Sequence, residues 1–129
     1  MLTMWQVATT SEFDAWFAAL EGEGQAELIA KVELLKLLGP QLGRPHVDTL
    51  NGSRHANMKE IRASTARQVL RVAFAFDPER VAIWLVAGDK KAANQRRFYK
   101  QLIEAADALF DRHLAKVKMK KKAKEQDDG

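Results

Sequence analysis

The chain of 129 residues contains no cysteine, which excludes a disulfide framework, thiolate catalysis and cysteine-ligated zinc, and agrees with a reducing cytoplasm. No stretch approaches the roughly 20 apolar residues that cross a bilayer. The first residues lack a charged segment followed by an apolar run. A soluble, unprocessed cytoplasmic protein without a membrane partner is the expectation. At this length, with 47% hydrophobic residues, one core can be buried rather than two.

Acidic charge is scarce where basic charge is dense. The net charge is only +4, yet residues 54–100 hold eleven Lys and Arg against four Asp and Glu, whereas residues 1–50 hold three against seven. A basic middle segment suits phosphates or an acidic protein partner; a merely solvated face is the plain alternative. Six lysines then fall within Lys116–Lys124, followed by Glu125-Gln126-Asp127-Asp128. With almost nothing to bury, residues 116–129 read as a frayed helix end or tail, either solubilising or in nonspecific contact with RNA.

Periodicity supplies the order of elements. Trp5 to Ala8 reads as a strand, and Ser11 is placed to cap a helix from Glu12 whose Phe13, Trp16, Phe17 and Leu20 form one stripe. Gly22 and Gly24 interrupt the pattern. A second helix is predicted from Ala26 to Leu38 on Leu28, Ile29, Val32, Leu35 and Leu38, stopped by Gly39-Pro40. Residues 41–54 read as a loop with a brief extended candidate at His46 to Leu50. Strands follow at 55–63, 67–76 and 80–87. Their short connections, one of them Asp77-Pro78-Glu79, imply antiparallel neighbours. Asn94 can cap a last helix running on Phe98, Leu102, Ile103, Ala106, Leu109 and Phe110 to about Leu114. The fold class is α+β.

The middle sheet strand divides unevenly between its faces. Leu70, Val72, Phe74 and Phe76 make a bulky side that must cover the core, while Arg67, Val69, Arg71, Ala73 and Ala75 make a small, cationic one. An arginine in mid-strand is unusual. Either a salt bridge holds it, or it binds phosphate on an open face where small neighbours leave room. On the preceding strand Glu60 and Arg62 share the face opposite Ile61, which brings a carboxylate beside guanidinium groups that favour its ionised, proton-accepting form. An ordinary cross-strand ion pair explains the same pattern. Tyr99, the sole tyrosine, opens the last helix near Lys90, Lys91, Arg96 and Arg97. It can stack on a base or donate a proton, or serve only as a partly buried aromatic.

Taken together, His55-Ala-Asn-Met-Lys-Glu-Ile-Arg62, Arg71-Val-Ala-Phe-Ala-Phe-Asp-Pro78, Leu85-Val-Ala-Gly-Asp-Lys-Lys91, Phe98-Tyr99 and Ala105-Ala-Asp-Ala-Leu-Phe110 resemble the RelE/ParE superfamily, specifically its HigB-like, phage-related branch. The resemblance spans roughly residues 4–114, so residues 1–115 are taken as the domain and 116–129 as a tail. It implies a RelE-like fold, with an N-terminal strand, a helical hairpin, a three-stranded antiparallel sheet and a C-terminal helix. It also implies the toxin of a toxin–antitoxin pair that cleaves mRNA, commonly on the ribosome, without a cofactor or metal. The partner it implies is an antitoxin, of helix-turn-helix, DNA-binding type.

On this resemblance Arg71 matches the arginine at the scissile phosphate, Glu60 and Arg62 match active-face positions, Lys90 and Lys91 match a basic pair, and Tyr99 approximates a catalytic tyrosine. Glu60, Arg62, Arg71, Lys91 and Tyr99 are the expected catalytic group. Lys59, Arg67, Lys90, Arg96 and Arg97 are the expected RNA-binding cations. Classical RelE members carry lysines where this chain has Met58 and Glu60, and His113 lies too far along the helix to substitute for a terminal histidine. Two other readings use the same scaffold: a ParE-like gyrase inhibitor that cuts nothing, and an RNA-binding module without cleavage.

Overall fold

In the computed structural model, which describes residues 4–91 and 94–128, five strands form one sheet between two helical layers. The strands are β1 (Gln6–Thr9), β2 (Val47–Thr49), β3 (Lys59–Ser64), β4 (Val69–Phe76) and β5 (Val81–Asp89), and the helices are α1 (Ser11–Ala18), α2 (Gly22–Leu38) and α3 (Gln95–Asp128). Their spatial order is β1-β5-β4-β3-β2. The expected antiparallel trio β3-β4-β5 is present; the His46–Leu50 segment adds β2 antiparallel on one edge, and β1 adds a parallel strand on the other.

Three boundaries differ from expectation. Thr10, not Ser11, caps α1, its Oγ1 accepting from the Phe13 N–H at 3.0 Å. Thr10 also donates to the Leu85 carbonyl at 2.6 Å, which ties the cap to β5. Helix α2 begins at Gly22 rather than Ala26, because Gly24 lies against Leu20 and Gln68 where a Cβ would stand only 3.0 Å from the Leu20 side chain. Close packing there outweighs the weak helix propensity of glycine. Of the predicted α2 stripe, Leu28 and Leu35 are buried, whereas Ile29 and Leu38 are exposed. Finally, α3 continues unbroken past Leu114 to Asp128.

The helices take opposite faces of the sheet. Phe13, Leu28 and Leu35 of the hairpin pack with Ile61, Leu70, Val72, Phe74 and Trp84. On the other face α3 sets Leu102, Ala106 and Phe110 against Ala73, Ala75, Ile83 and Leu85. The small side chains beside Arg71 were expected to leave room for a ligand; instead most of that room admits α3, and Ala73 and Ala75 are fully buried beneath it. A bulge between Ala73 and Phe74 leaves Leu85 as the extra residue of β5. The strand's phase shifts by one residue there, so Gly88 faces the same side as Arg71.

Candidate active site at the open end of the α3 face

Register brings the predicted residues together. Arg62 pairs with Arg71, Glu60 with Ala73, and Arg71 with Gly88, and the side chains of Glu60, Arg62 and Arg71 lie on the α3 face. Helix α3 starts just beyond the end of that face, because Asn94 caps it: Arg97 N–H donates to Asn94 Oδ1 at 3.1 Å. Its first turn then seats Phe98 on Gly88, where a Cβ would meet the ring at 2.8 Å. Gly88 is thus needed for its lack of a side chain, and its contact sets where the next residue, Tyr99, points.

Tyr99 faces both Arg71 and Glu60. Burial pushes its hydroxyl above the usual tyrosine value; the Arg71 guanidinium works against that shift and the Glu60 carboxylate adds to it. The phenol therefore keeps its proton through neutral pH. Lys90 Nζ stands 5.5 Å from the centre of the Tyr99 ring, within the range of a cation–π contact. Burial, and then the charges of Arg71 and Arg62, push the Lys90 ammonium below its ordinary value, while Glu60 opposes the shift.

Glu60 and Arg71 are each only 5% exposed, yet their surroundings are polar. Arg71 Nη1 donates to the Leu70 carbonyl at 2.9 Å. Arg71 Nε and Glu60 Oε2 are buried without a hydrogen-bond partner among the described residues. Most buried polar atoms are paired, so a donor and an acceptor left open in one cluster mark capacity for a ligand. Glu60 reaches solvent through a cleft of about 240 Å³ that it shares with Asp48, Thr49, Leu50, Asn51 and Tyr99.

A chain of charges runs along the cleft's outer edge. Arg62 Nη1 lies 3.9 Å from Glu60 and 3.6 Å from Asp48, and Asp48 is held by Arg44 at 2.7 Å. The Arg44 hydrogen bond, aided by the Thr49 N–H, keeps the Asp48 carboxyl below the usual carboxylate range. Behind the cleft the β2–β3 loop is fastened to α3. Buried Asp107 accepts from the Ser53 hydroxyl and the Arg54 N–H, and Asp111 accepts from Arg54 and contacts His55 Nε2 at 2.8 Å.

Four of the five expected catalytic residues, Glu60, Arg62, Arg71 and Tyr99, converge. Lys91 does not: its ammonium donates to the Ala66 carbonyl at the β3–β4 turn, 3.3 Å away. Lys90, expected only to bind RNA, occupies the inner position instead. Asp89 explains the exchange, since its Oδ1 accepts both the Val69 and Lys91 backbone N–H groups and so turns Lys91 outward. Among the other RNA-binding candidates, Arg96 and Arg97 line an open depression on the first turns of α3 with Lys100. Lys59 pairs in register with Phe74 and so lies on the opposite face. Arg67 extends into solvent at the β3–β4 turn, 3.9 Å from Glu21.

Sequence reasoning missed Gly88, Asp48 and Asp107. Gly88 stood in an apolar-to-basic run without any turn signal, and the two aspartates have partners in the cleft wall that are fixed only by the fold.

Comparison with known proteins identifies the family and the fold. Residues 15–111 match the family described as Phage derived protein Gp49-like (DUF891). The chain is 46% identical over 109 residues to HigB2 of Mycobacterium tuberculosis, covering 84% of this chain but 54% of that protein, so it spans about half of HigB2. It is 43% identical over 104 residues to HigB3 of the same organism, covering 81% of this chain and 89% of HigB3. A free-state structure of an arginine-to-alanine double mutant of the E. coli toxin RelE shares the fold, with a TM-score of 0.56 and 13% identity over 78% of this chain and 94% of that one. The chain belongs to the phage-derived Gp49-like family, as a HigB-like member with the RelE fold.

Proposed function

We propose that this protein is the toxin of a toxin–antitoxin pair and acts as an endoribonuclease on mRNA, with the ribosome as the setting for cleavage. The observation that carries the reading is the cluster itself: the buried, unpartnered Arg71 Nε and Glu60 Oε2 stand with a protonated phenol and a lysine, Glu60 and Tyr99 lining one cleft and Lys90 Nζ lying 5.5 Å from the centre of the Tyr99 ring. Two relatives bear HigB toxin names and the protein that shares the fold is the toxin RelE, which supports the same reading.

RNA carries its own nucleophile in the 2′-hydroxyl. Glu60 accepts the 2′-proton, and the 2′-oxygen attacks phosphorus. Arg71, with Arg62 beside it, neutralises the charge that develops on the phosphorane oxygens; a guanidinium suits this because it is planar and stays protonated. The bond to the 5′-oxygen then breaks, and Tyr99 or Lys90 protonates the leaving oxygen. The products are a 2′,3′-cyclic phosphate and a 5′-hydroxyl. These groups complete the reaction without a metal.

A toxin of this kind needs a covering partner. Arg71, Arg62 and Lys90 stand beside the cleft that Asp48 and Glu60 line, so the covering antitoxin segment presents carboxylates to those three cations. Brief induction followed by primer extension on cellular mRNA tests the reading: wild type creates new 5′ ends, and Glu60→Gln and Arg71→Ala do not. New ends at wild-type frequency with Arg71→Ala would overturn it. Growth arrest without new ends in any form would favour the gyrase-inhibitor reading.

A further inference from the structure

The far part of α3 does nothing for the core. Among the described residues Phe110 is the last buried one of the helix, and every residue from Lys118 to Gln126 is exposed. Yet the segment is helical and carries Lys116, Lys118, Lys120, Lys121, Lys122 and Lys124 without an acid between them. Like charges three and four residues apart destabilise a helix. Lys116, Lys118, Lys120, Lys121 and Lys122 form no ion pair with a described carboxylate. The segment therefore carries a repulsion that a polyanion would relieve.

The arrangement of the charges narrows the partner. At 100° per residue, Lys116, Lys120 and Lys124 form one row with steps of roughly 6 Å, and Lys118 and Lys122 form a second row on the other side. Val117 and Met119 lie about 200° apart, so there is no continuous apolar stripe to enter a membrane interface. No aromatic or arginine occurs to anchor a protein interface. A helix with ammonium groups over about two-thirds of its circumference, without base-reading side chains, fits sugar-phosphate backbone in a sequence-independent way. Lys116 stands 17 residues beyond Tyr99, roughly 25 Å along the helix, so the arm is separate from the cleft.

We propose that α3 from Lys116 to Lys124 is a second, sequence-independent binding surface for a phosphodiester backbone, that of RNA on the ribonuclease reading given above, distinct from the cleft between Glu60 and Tyr99.

The test reads binding and does not depend on cleavage. A fluorescent 20-nucleotide 2′-O-methyl RNA, which has no free 2′-hydroxyl, is titrated with the full chain at several salt concentrations. Replacing the six lysines by glutamine, a comparably good helix former, should weaken binding at least about tenfold in low salt. It should also reduce the slope of log affinity against log salt by up to about 4, six phosphate contacts at roughly 0.7 each. Replacement by arginine should preserve both. Independently, the oligonucleotide should protect Lys118–Lys124 of the wild type from acetylation, which keeps the proposal testable if the glutamine variant folds poorly. An unchanged Kd and slope, or unprotected lysines, would overturn it. So would a loss of binding to phosphatidylserine vesicles or to poly-glutamate with RNA binding intact.

Discussion

The two faces of β4 carry different loads although they belong to one eight-residue strand. Leu70, Val72 and Phe74 meet a helical hairpin that closes over them completely; apart from the unpartnered Trp84 indole N–H, that layer is apolar. Ala73 and Ala75 meet α3, but Arg71, two residues earlier on the same face, lies where α3 has only begun. The first face is sealed along its length. The second is sealed at one end and polar at the other. Apolar packing and the polar cluster are thus divided by face, and then by position along the face.

The largest effect that could break this comparison concerns the sealed face. Phe74→Ala should lower the unfolding free energy by about 3–5 kcal/mol, read by chemical denaturation, while cleavage per folded molecule stays unchanged. A loss of specific activity would mean that the hairpin layer also shapes the cleft. On the open end, Arg71→Ala should reduce cleavage about 10²–10³-fold at a smaller cost in stability than Phe74→Ala.

Next comes the distinction between neighbouring lysines. Lys90→Gln should slow cleavage by about 10²-fold, the low end for a lost proton donor, whereas Lys91→Gln should leave the rate nearly unchanged. The sign of the pH effect follows from the lowered Lys90 value: its proton is present at neutral pH and is lost as pH rises, before an ordinary lysine would lose its own. Activity should therefore fall on the alkaline side, and this limb should shift in Lys90→Gln. Equal effects at positions 90 and 91 would contradict the placement of Asp89 as the residue that turns Lys91 away.

Gly88→Val sharpens the boundary between the two ends of the α3 face. Displacing Phe98 should cost about 1–3 kcal/mol of stability, as overpacking does, and should slow cleavage by moving Tyr99. The smallest effect lies at the surface. The hydrogen bonds that Arg112 donates to Glu12 link α1 to α3 and hold the Glu12 carboxyl at about 2 against its ordinary 4.5. The stability from this pair is present above about 4.5 and is lost as pH falls toward about 2. In Glu12→Gln, unfolding should lose that part of its acid dependence, with little change at neutral pH.

Much of the site was legible because strand alternation is a rigid rule. Placing Ile61 in the core put Glu60 and Arg62 beside Arg71, and the register agrees. Lys90 and Lys91 were harder to separate. Adjacent residues at a strand end are told apart only by which backbone N–H groups the Asp89 side chain captures. The α2 stripe misled for a related reason: Ile29 and Leu38 have helical spacing, but the layer that α2 covers is too narrow to reach them.

Sequence alone determined the order of elements, the uneven faces of β4 and the basic character of the middle segment, since each follows from local spacing and composition. Tertiary structure alone decided that α3 would fill the space beside Ala73 and Ala75 and stop short of Arg71. That outcome rests on the one-residue bulge at Leu85, which turns Gly88 toward α3, and on the fit of Phe98 against it. Both are matters of phase and volume between segments distant in the chain.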